Sequence, residues 1–354
     1  MIDKNEIMKI LGTVEDPELR RPLTDLDMIK KVEIDGGKVE IEITLTIPGC
    51  PLKNKISKDV TSAVEQLEGV DSVAITFGAM TPEQKKNLAK KMYGKDHKKD
   101  SPEGEEANVA GDFAKRVIAV SSGKGGVGKS TVTSNLAAAL AKQGYKVGVM
   151  DADVYGFSIP RILGVKGEPV QIDDHLVPLV AHGIQVMSIG FFASEDQPVI
   201  WRGPLLHKAV KQFISDVLWD QLDYLLIDLP PGTGDITLTI AQQLPKAEML
   251  VVTTPQPVAS HTAGRVAKLA EKTKLSVLGV IENMAYYENN GHRDYIFGKD
   301  GGKDLAKALG VPFLGEIPIK TEIREGADLG QPMAFSEYDD IAQYYLDITQ
   351  HLIK

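Results

Sequence analysis

The sequence predicts an α/β protein in which a doubly wound, mostly parallel sheet follows a small α+β domain. From Lys115 onward, short runs rich in Val, Ile and Leu alternate with helical stretches, a pattern typical of strands buried on both faces of a parallel sheet. Before residue 94 the chain instead combines short helices with alternating strands. A polar stretch containing Gly and Pro separates the two patterns. We therefore expect domains at 1–93 and 113–354, joined by a flexible linker at 94–112.

The first domain is predicted to begin with a short helix in MIDKNEIMKILGTV. A hairpin follows in MIKKVEIDGGKVEIEITLTI, where apolar alternation flanks the turn residues Asp35-Gly36-Gly37. We then expect the loop PGCP, a helix over about 52–68, the strand DSVAITF and a helix over about 82–93. In the second domain the predicted strands are RVIAVSS, KVGVMDAD, IQVMSIG, YLLIDLP, EMLVVTTP and SVLGVIEN.

Composition indicates a cytoplasmic protein without a membrane partner. The N-terminal residues are charged, unlike a signal peptide, and no apolar run approaches the ~20 residues that cross a bilayer. Cys50 is the only cysteine, so no disulfide can form within the chain. The net charge of −9 disfavours nucleic-acid binding, but seven lysines between residues 85 and 99 form a local exception.

A glycine-rich loop predicts binding of a nucleoside triphosphate. It matches G-x-x-x-x-G-K-[ST], follows the strand RVIAVSS and opens the helix STVTSNLAAALAKQ. Backbone N–H groups of such a loop face phosphate oxygens. Lys129 is expected to neutralise the β- and γ-phosphates, and the Ser130 hydroxyl to bind Mg²⁺. The predicted nucleotide-binding residues are Gly123, Lys124, Gly125, Gly126, Val127, Gly128, Lys129, Ser130 and Thr131.

Three aspartates at strand ends complete a phosphoryl-transfer site. Asp228 ends the strand YLLIDLP and is expected to bind Mg²⁺; a helix cap is the alternative. Asp151 and Asp153 share one side at the end of KVGVMDAD because strand residues alternate. We expect Asp153 to orient the attacking water and Asp151 to support it, or to bind a metal-bound water, with the reverse assignment left open.

The extra lysine, Lys124, gives KGGVGKS a resemblance to the deviant Walker A motif of the SIMIBI ATPases, which include MinD and ParA. The resemblance implies a homodimer across the nucleotide. In that class the lysine contacts nucleotide bound to the other subunit, where it stabilises charge that develops during transfer. The alternative is a lysine that is merely solvated in an exposed loop.

Further segments resemble the Mrp/ApbC family of iron–sulfur cluster carrier ATPases: DADVYGFSIPRILG, WRGPLLHKAV, IDLPPGTGD and VIENMAYY. In the first domain, VEDPEL and PGCPL resemble the iron–sulfur-assembly domain fused to many Mrp proteins. The resemblance implies slow ATP hydrolysis and transfer of iron–sulfur clusters to apoproteins. It also implies that Asn283 contacts the adenine edge and that Pro255 and Gln256 wall the base.

One family feature is missing from this sequence. Mrp proteins carry a Cys-x-x-Cys pair soon after ENM, whereas this chain reads ENMAYYENNGHRDYIFG, as in SalA-like members. Oxygen ligands and an imidazole replace thiolates poorly on a cluster. Cys50 remains as a possible cluster ligand, or as a packing residue of its turn. The sequence therefore leaves two alternatives to a carrier: an ATP-controlled DNA-binding regulator of SalA type, and an adaptor that binds ATP without hydrolysis.

Overall fold

The computed structural model describes residues 3–17, 21–45, 53–81, 83–84, 87–88, 91, 113–154, 156–172, 175–192, 203–232, 235–256, 259–289 and 291–353. The chain divides into two compact units, one of residues 1–100 with 170–177 and one of residues 101–169 with 178–354. The domain boundaries predicted from the sequence stay a prediction. The linker predicted at 94–112 lies outside the described residues.

In its described residues, the first unit combines helices with a three-stranded sheet. Its elements are α1 (Lys4–Leu11), β1 (Ile29–Asp35), β2 (Lys38–Leu45), α2 (Lys53–Val64) and β3 (Ser72–Ala79). Strand β2 lies in the middle, antiparallel to β1 and parallel to β3. The predicted hairpin is present, and Gly36 takes the positive φ of +59° that its turn needs. Most of the helix predicted over 82–93 lies outside the described residues.

The second unit contains most of the remaining elements. Its strands are β4 (Ala114–Ser121), β5 (Val147–Asp151), β8 (Leu179–Ala181), β9 (Ile184–Ser188), β10 (Leu222–Asp228), β11 (Glu248–Thr253), β12 (Ser276–Asn289), β13 (His292–Asp294) and β14 (Phe313–Ile319). The short pair β6 (Val170–Ile172) and β7 (His175–Val177) groups with the first unit. The helices of the second unit are α3 (Lys129–Lys142), α4 (Ile159–Ile162), α5 (Gly203–Ser215), α6 (Asp235–Gln243), α7 (Ala259–Thr273), α8 (Gly301–Leu309), α9 (Thr321–Leu329) and α10 (Asp339–Leu352).

The large sheet of the second unit confirms the predicted fold class. Within the described part of the chain its order is β13-β12-β11-β4-β10-β5-β9-β8, and β14 pairs with β12. All pairs from β12 to β9 are parallel, and only the edge strands β13 and β8 are antiparallel. From β4 the chain passes to β5 and β9 on one side, returns to place β10 between β4 and β5, and then adds β11 and β12 on the other side of β4. Such a reversal of direction is typical of a doubly wound sheet. All six strands predicted from the sequence are present.

Helix α3 is the central packing element of this unit. Its residues from Val132 to Leu140 are all buried, so the helix is enclosed rather than amphipathic. Leu136 belongs to one apolar cluster with Val149 of β5 and Leu226 of β10, and with Tyr345 of α10. Because α3 begins at Lys129, this packing fixes the position of the glycine-rich loop relative to the sheet.

Leu136→Ala should lower the free energy of unfolding of the second unit by about 2–5 kcal/mol, because it leaves a cavity in a close-packed core. Denaturant titration followed by circular dichroism measures the change. Lys142→Ala, at the partly exposed end of the same helix, is the control and should change stability by less than about 0.5 kcal/mol. Equal effects of the two substitutions would contradict the central role of α3.

Candidate functional site

The glycine-rich loop connects β4 to α3 at the carboxyl edge of the sheet. Gly126 and Gly128 have φ values of +76° and +79°, a region that glycine adopts without strain. A Cβ on Gly128 would overlap the Asn283 side-chain nitrogen, so a larger residue has no room there. The loop therefore brings its backbone to the first turn of a helix, which favours an anion such as phosphate.

Asp228 is the fully buried hub of this edge. Its Oδ1 lies 2.8 Å from the Lys129 Nζ, and its Oδ2 accepts a hydrogen bond of 2.5 Å from the Ser130 hydroxyl. Thr133, one turn along α3, donates to the same carboxylate at 3.1 Å. A buried carboxylate needs such partners, because burial without them is costly. Asp228 thus holds the start of α3 against the end of β10.

Sheet register places a second carboxylate beside the first. Asp228 of β10 stands opposite Asp151 of the parallel neighbour β5. The Ser188 hydroxyl donates to Asp151 Oδ2 at 3.0 Å, and the backbone N–H of Asp153 donates to Oδ1 at 3.2 Å. Burial is the main cause and repulsion from Asp228 the second cause that raise the pKa of Asp151 to about 7. Asp151 therefore carries its proton for part of the time near physiological pH.

Asp153 lies nearer the loop. Its Oδ2 is 3.7 Å from the Lys129 Nζ, so one lysine spans Asp153 and Asp228. Asp153 is mostly buried at 8% exposure, whereas Asp151 is fully enclosed. Asp153 therefore contacts the Lys129 ammonium group from a slightly exposed position, whereas Asp151 lies deeper in the protein. It is consistent with the predicted assignment of Asp153 and Asp151, which stays a prediction.

The Ser130–Asp228 pair fits Mg²⁺. A hydroxyl and a carboxylate oxygen face each other at 2.5 Å at the start of α3, and hard oxygen ligands are those that Mg²⁺ prefers. Lys129 supplies a positive charge at the same point. The two residues predicted to bind the metal are thus brought together by the fold.

A cavity of about 580 Å³ opens beside the glycine-rich loop. The predicted residues Gly128, Thr131 and Asn283 line it. The side-chain nitrogen of Asn283 donates to Val127 O at 2.8 Å, which ties β12 to the loop. The other lining residues come from three separate segments: Met284, Ile296, Phe297, Pro318, Ile319, Lys320, Ile323, Arg324, Ala327 and Asp328. The wall is largely apolar and adjoins the loop, as a purine-sized group requires.

Two predicted base-wall residues lie elsewhere. Pro255 packs against α8, since a Cβ on Gly301 would overlap the Pro255 carbonyl oxygen. The Gln256 side-chain oxygen accepts a hydrogen bond from the Lys124 Nζ. Neither lines the cavity beside Asn283, so their role at the base stays a prediction.

The segment after Asn283, in which the resemblance led us to expect a cysteine pair, contains an antiparallel pair of strands. Strands β12 and β13 pair from Tyr287–Asp294 to Asn289–His292. The Arg293 guanidinium lies 4.2 Å from the centre of the buried Tyr286 ring. No group of three or more His, Cys, Asp or Glu residues able to hold a metal occurs among the described residues. Cys50 lies outside them.

Sequence reasoning missed Ser188 and Thr133. A signal existed for Ser188, because it is the polar residue at the carboxyl end of IQVMS, the strand next to Asp151. Thr133 lies four residues after Lys129, and residues at that spacing share a helix face.

In the described part of the chain, no helix is both long and apolar enough to cross a membrane.

In nucleotide-free, Mg²⁺-free protein, the contribution of Asp151 to the free energy of unfolding should fall as pH rises from about 4 to 7. An aspartate carboxyl ordinarily has a pKa of 3.8, whereas that of Asp151 is raised to about 7 by folding. The folded state therefore binds an extra proton in this window, and unfolding becomes easier as that proton is lost. Asp151→Asn removes this loss. The melting temperature of this variant minus that of the native chain should therefore increase as pH rises from 5 to 8.

Differential scanning calorimetry at a series of pH values measures this change. The exposed Asp347→Asn is the control, and its melting temperature should follow that of the native chain at every pH. A pH-independent difference between Asp151→Asn and the native chain would contradict the raised pKa.

Comparison with known proteins confirms the family predicted from the sequence. The family described as NUBPL iron-transfer P-loop NTPase matches residues 114–353, and the iron–sulfur cluster assembly protein family matches residues 4–77. The iron–sulfur cluster carrier protein of Mycobacterium leprae is 44% identical over 344 residues, 95% of this chain and 88% of the relative. That of Bacillus subtilis is 39% identical over 357 residues, covering 99% and 98%.

Solved structures agree with this result. A nucleotide-binding protein from Archaeoglobus fulgidus in complex with ADP is 41% identical, with a TM-score of 0.57, and the match covers 68% of this chain and 92% of that one. The Pyrococcus furiosus cell division ATPase MinD is 26% identical, with a TM-score of 0.52, and the match covers 68% and 98%. The loop, its aspartates and these matches lead to one conclusion: the chain belongs to the iron–sulfur cluster carrier family of P-loop NTPases.

Proposed function

We propose that the chain is a Mg²⁺-dependent ATPase that works as a homodimeric switch and passes iron–sulfur clusters to apoproteins. The observation that carries the ATPase part is that Lys129, at the end of the glycine-rich loop, lies between Asp153 and Asp228 while Ser130 donates to Asp228. The cluster part rests on the relatives, which are named iron–sulfur cluster carrier proteins.

ATP is expected to place its phosphates on the loop and its base in the cavity beside Asn283. The buried Lys129 would offset negative charge on the β- and γ-phosphates, exchanging part of its contact with Asp228 for the nucleotide. Ser130 and Asp228 would hold Mg²⁺, which neutralises phosphate charge when bound. Asp153 would orient the water that attacks the γ-phosphorus and accept its proton.

Lys124 is the residue that we propose to act on nucleotide bound to a second subunit. It is half-buried at the rim of the loop, and its Nζ contacts Gln256 rather than the aspartates that surround Lys129. A lysine of a facing subunit would place a second positive charge beside the γ-phosphate as negative charge develops there, in addition to that of Lys129. Each subunit would thereby complete the site of the other.

The cluster is the cargo of this protein rather than a resident cofactor. With one cysteine per chain, a homodimer provides two Cys50 thiolates, and a [4Fe–4S] cluster commonly takes four. The remaining ligands would come from the client protein or from small thiols. This favours brief holding followed by transfer over stable storage.

Anaerobic reconstitution of the full chain with iron and sulfide tests this function. We expect weak sulfide-to-iron absorption bound to the protein, and activation of a cluster-free acceptor enzyme that increases with ATP. Cys50→Ser should abolish both, whereas ADP binding, which the proposal assigns to the glycine-rich loop, should persist. A protein that neither binds nor transfers a cluster would refute the carrier function.

The DNA-binding alternative has less support. Its sequence basis is the group of lysines at 85–99, and most of these residues lie outside those that the structure describes. The described member Lys91 is 2.7 Å from Asp27 in an exposed ion pair. This alternative stays a prediction.

A further inference from the structure

The side chain of Lys124 is held within its own subunit. Its Nζ donates a hydrogen bond to the side-chain oxygen of Gln256, a residue 132 positions away that follows strand β11. Both side chains are half-buried. A long lysine side chain loses considerable freedom when it is fixed in this way, so the contact selects one direction for a group that otherwise has many.

A second contact comes from the same part of the chain. Arg265 of α7, the helix that follows Gln256, donates from its Nη1 to the carbonyl oxygen of Gly123 at 3.2 Å. Two consecutive residues of the glycine-rich loop, Gly123 and Lys124, are therefore held by the segment between β11 and the middle of α7. The rest of the loop is held differently, by Asn283 of β12 and by Asp228 of β10.

The chemistry of the acceptor matters. Gln256 presents a neutral amide oxygen, which orients an ammonium group but leaves its positive charge uncompensated. A carboxylate in the same place would neutralise that charge and hold it more strongly. A neutral acceptor can therefore give up the lysine to a more negative group, such as the phosphates of a nucleotide.

We infer that Gln256 is a positioning residue that holds Lys124 in its own subunit until a nucleotide-bound partner subunit displaces it. This inference rests on the proposed role of Lys124 in a facing subunit. In the free protomer only the fraction with Lys124 released is competent to pair. Because both protomers must release Lys124, Gln256 lowers the apparent affinity of dimerisation by the square of that fraction and so disfavours pairing without nucleotide.

Two substitutions at Gln256 should shift dimerisation in opposite directions. With a non-hydrolysable ATP analogue and Mg²⁺, Gln256→Ala should tighten the dimer of the full chain about ten- to a hundredfold, the effect of one hydrogen bond in each of two subunits. Gln256→Glu should weaken it by at least as much. Sedimentation velocity over a range of protein concentrations measures the dissociation constant. Gln212→Glu, on an exposed position of α5, makes the same charge change and should have little effect.

The same two Gln256 substitutions made in Lys124→Ala protein test this inference separately from the proposed function on which it rests. If Gln256 acts through Lys124, both shifts should disappear there. If native protein does not dimerise with nucleotide, or Lys124→Ala hydrolyses ATP at the native rate, the proposed function fails. If those two results are as proposed but the Gln256 variants shift in the same direction, or their shifts persist without Lys124, the inference alone is overturned. Weakened ADP binding by both variants would likewise overturn it and favour Gln256 as a base-wall residue.

Discussion

The buried Asp228 carboxylate is the group on which the rest of the site depends. It sits at the end of β10, between the two strands that supply the loop and Asp151. Through Lys129, Ser130 and Thr133 it fixes the start of α3. Without nucleotide these contacts satisfy a charge that could not otherwise be buried. In the proposed nucleotide complex, Lys129 would contact the phosphates and Ser130 would bind Mg²⁺ from these same positions.

The two lysines of the loop have separate environments, and this separation suits them to separate tasks. Lys129 is enclosed between carboxylates, so its charge is used locally. Lys124 lies at the rim and contacts a neutral amide. The Lys124 ammonium group is therefore oriented but keeps its positive charge, which suits it to the proposed contact with nucleotide phosphates of a facing subunit.

Sequence reasoning succeeded where the signal is local. The strand, loop and helix around Lys129 are contiguous, and Asp151 and Asp153 stand at and just after the end of the apolar run that forms β5. Contacts made by distant segments gave no such signal. Ser188 reaches Asp151 only because β9 pairs with β5, and the cavity wall combines residues near Asn283 with Ile296 and Ile319 from later segments. These contacts depend on tertiary packing, which no local pattern in the sequence reports.

Mixing two inactive variants tests most directly whether subunits complete each other's sites. Lys124→Ala keeps Asp153, and Asp153→Ala keeps Lys124, so a mixed dimer has one site with both groups if the lysine acts across the interface. An equal mixture forms about half mixed dimers, each with one of two sites competent, and should recover about a quarter of native ATP hydrolysis. Each variant alone should be nearly inactive. A mixture as inactive as its components would contradict the trans role, since it would mean that Lys124 serves its own subunit.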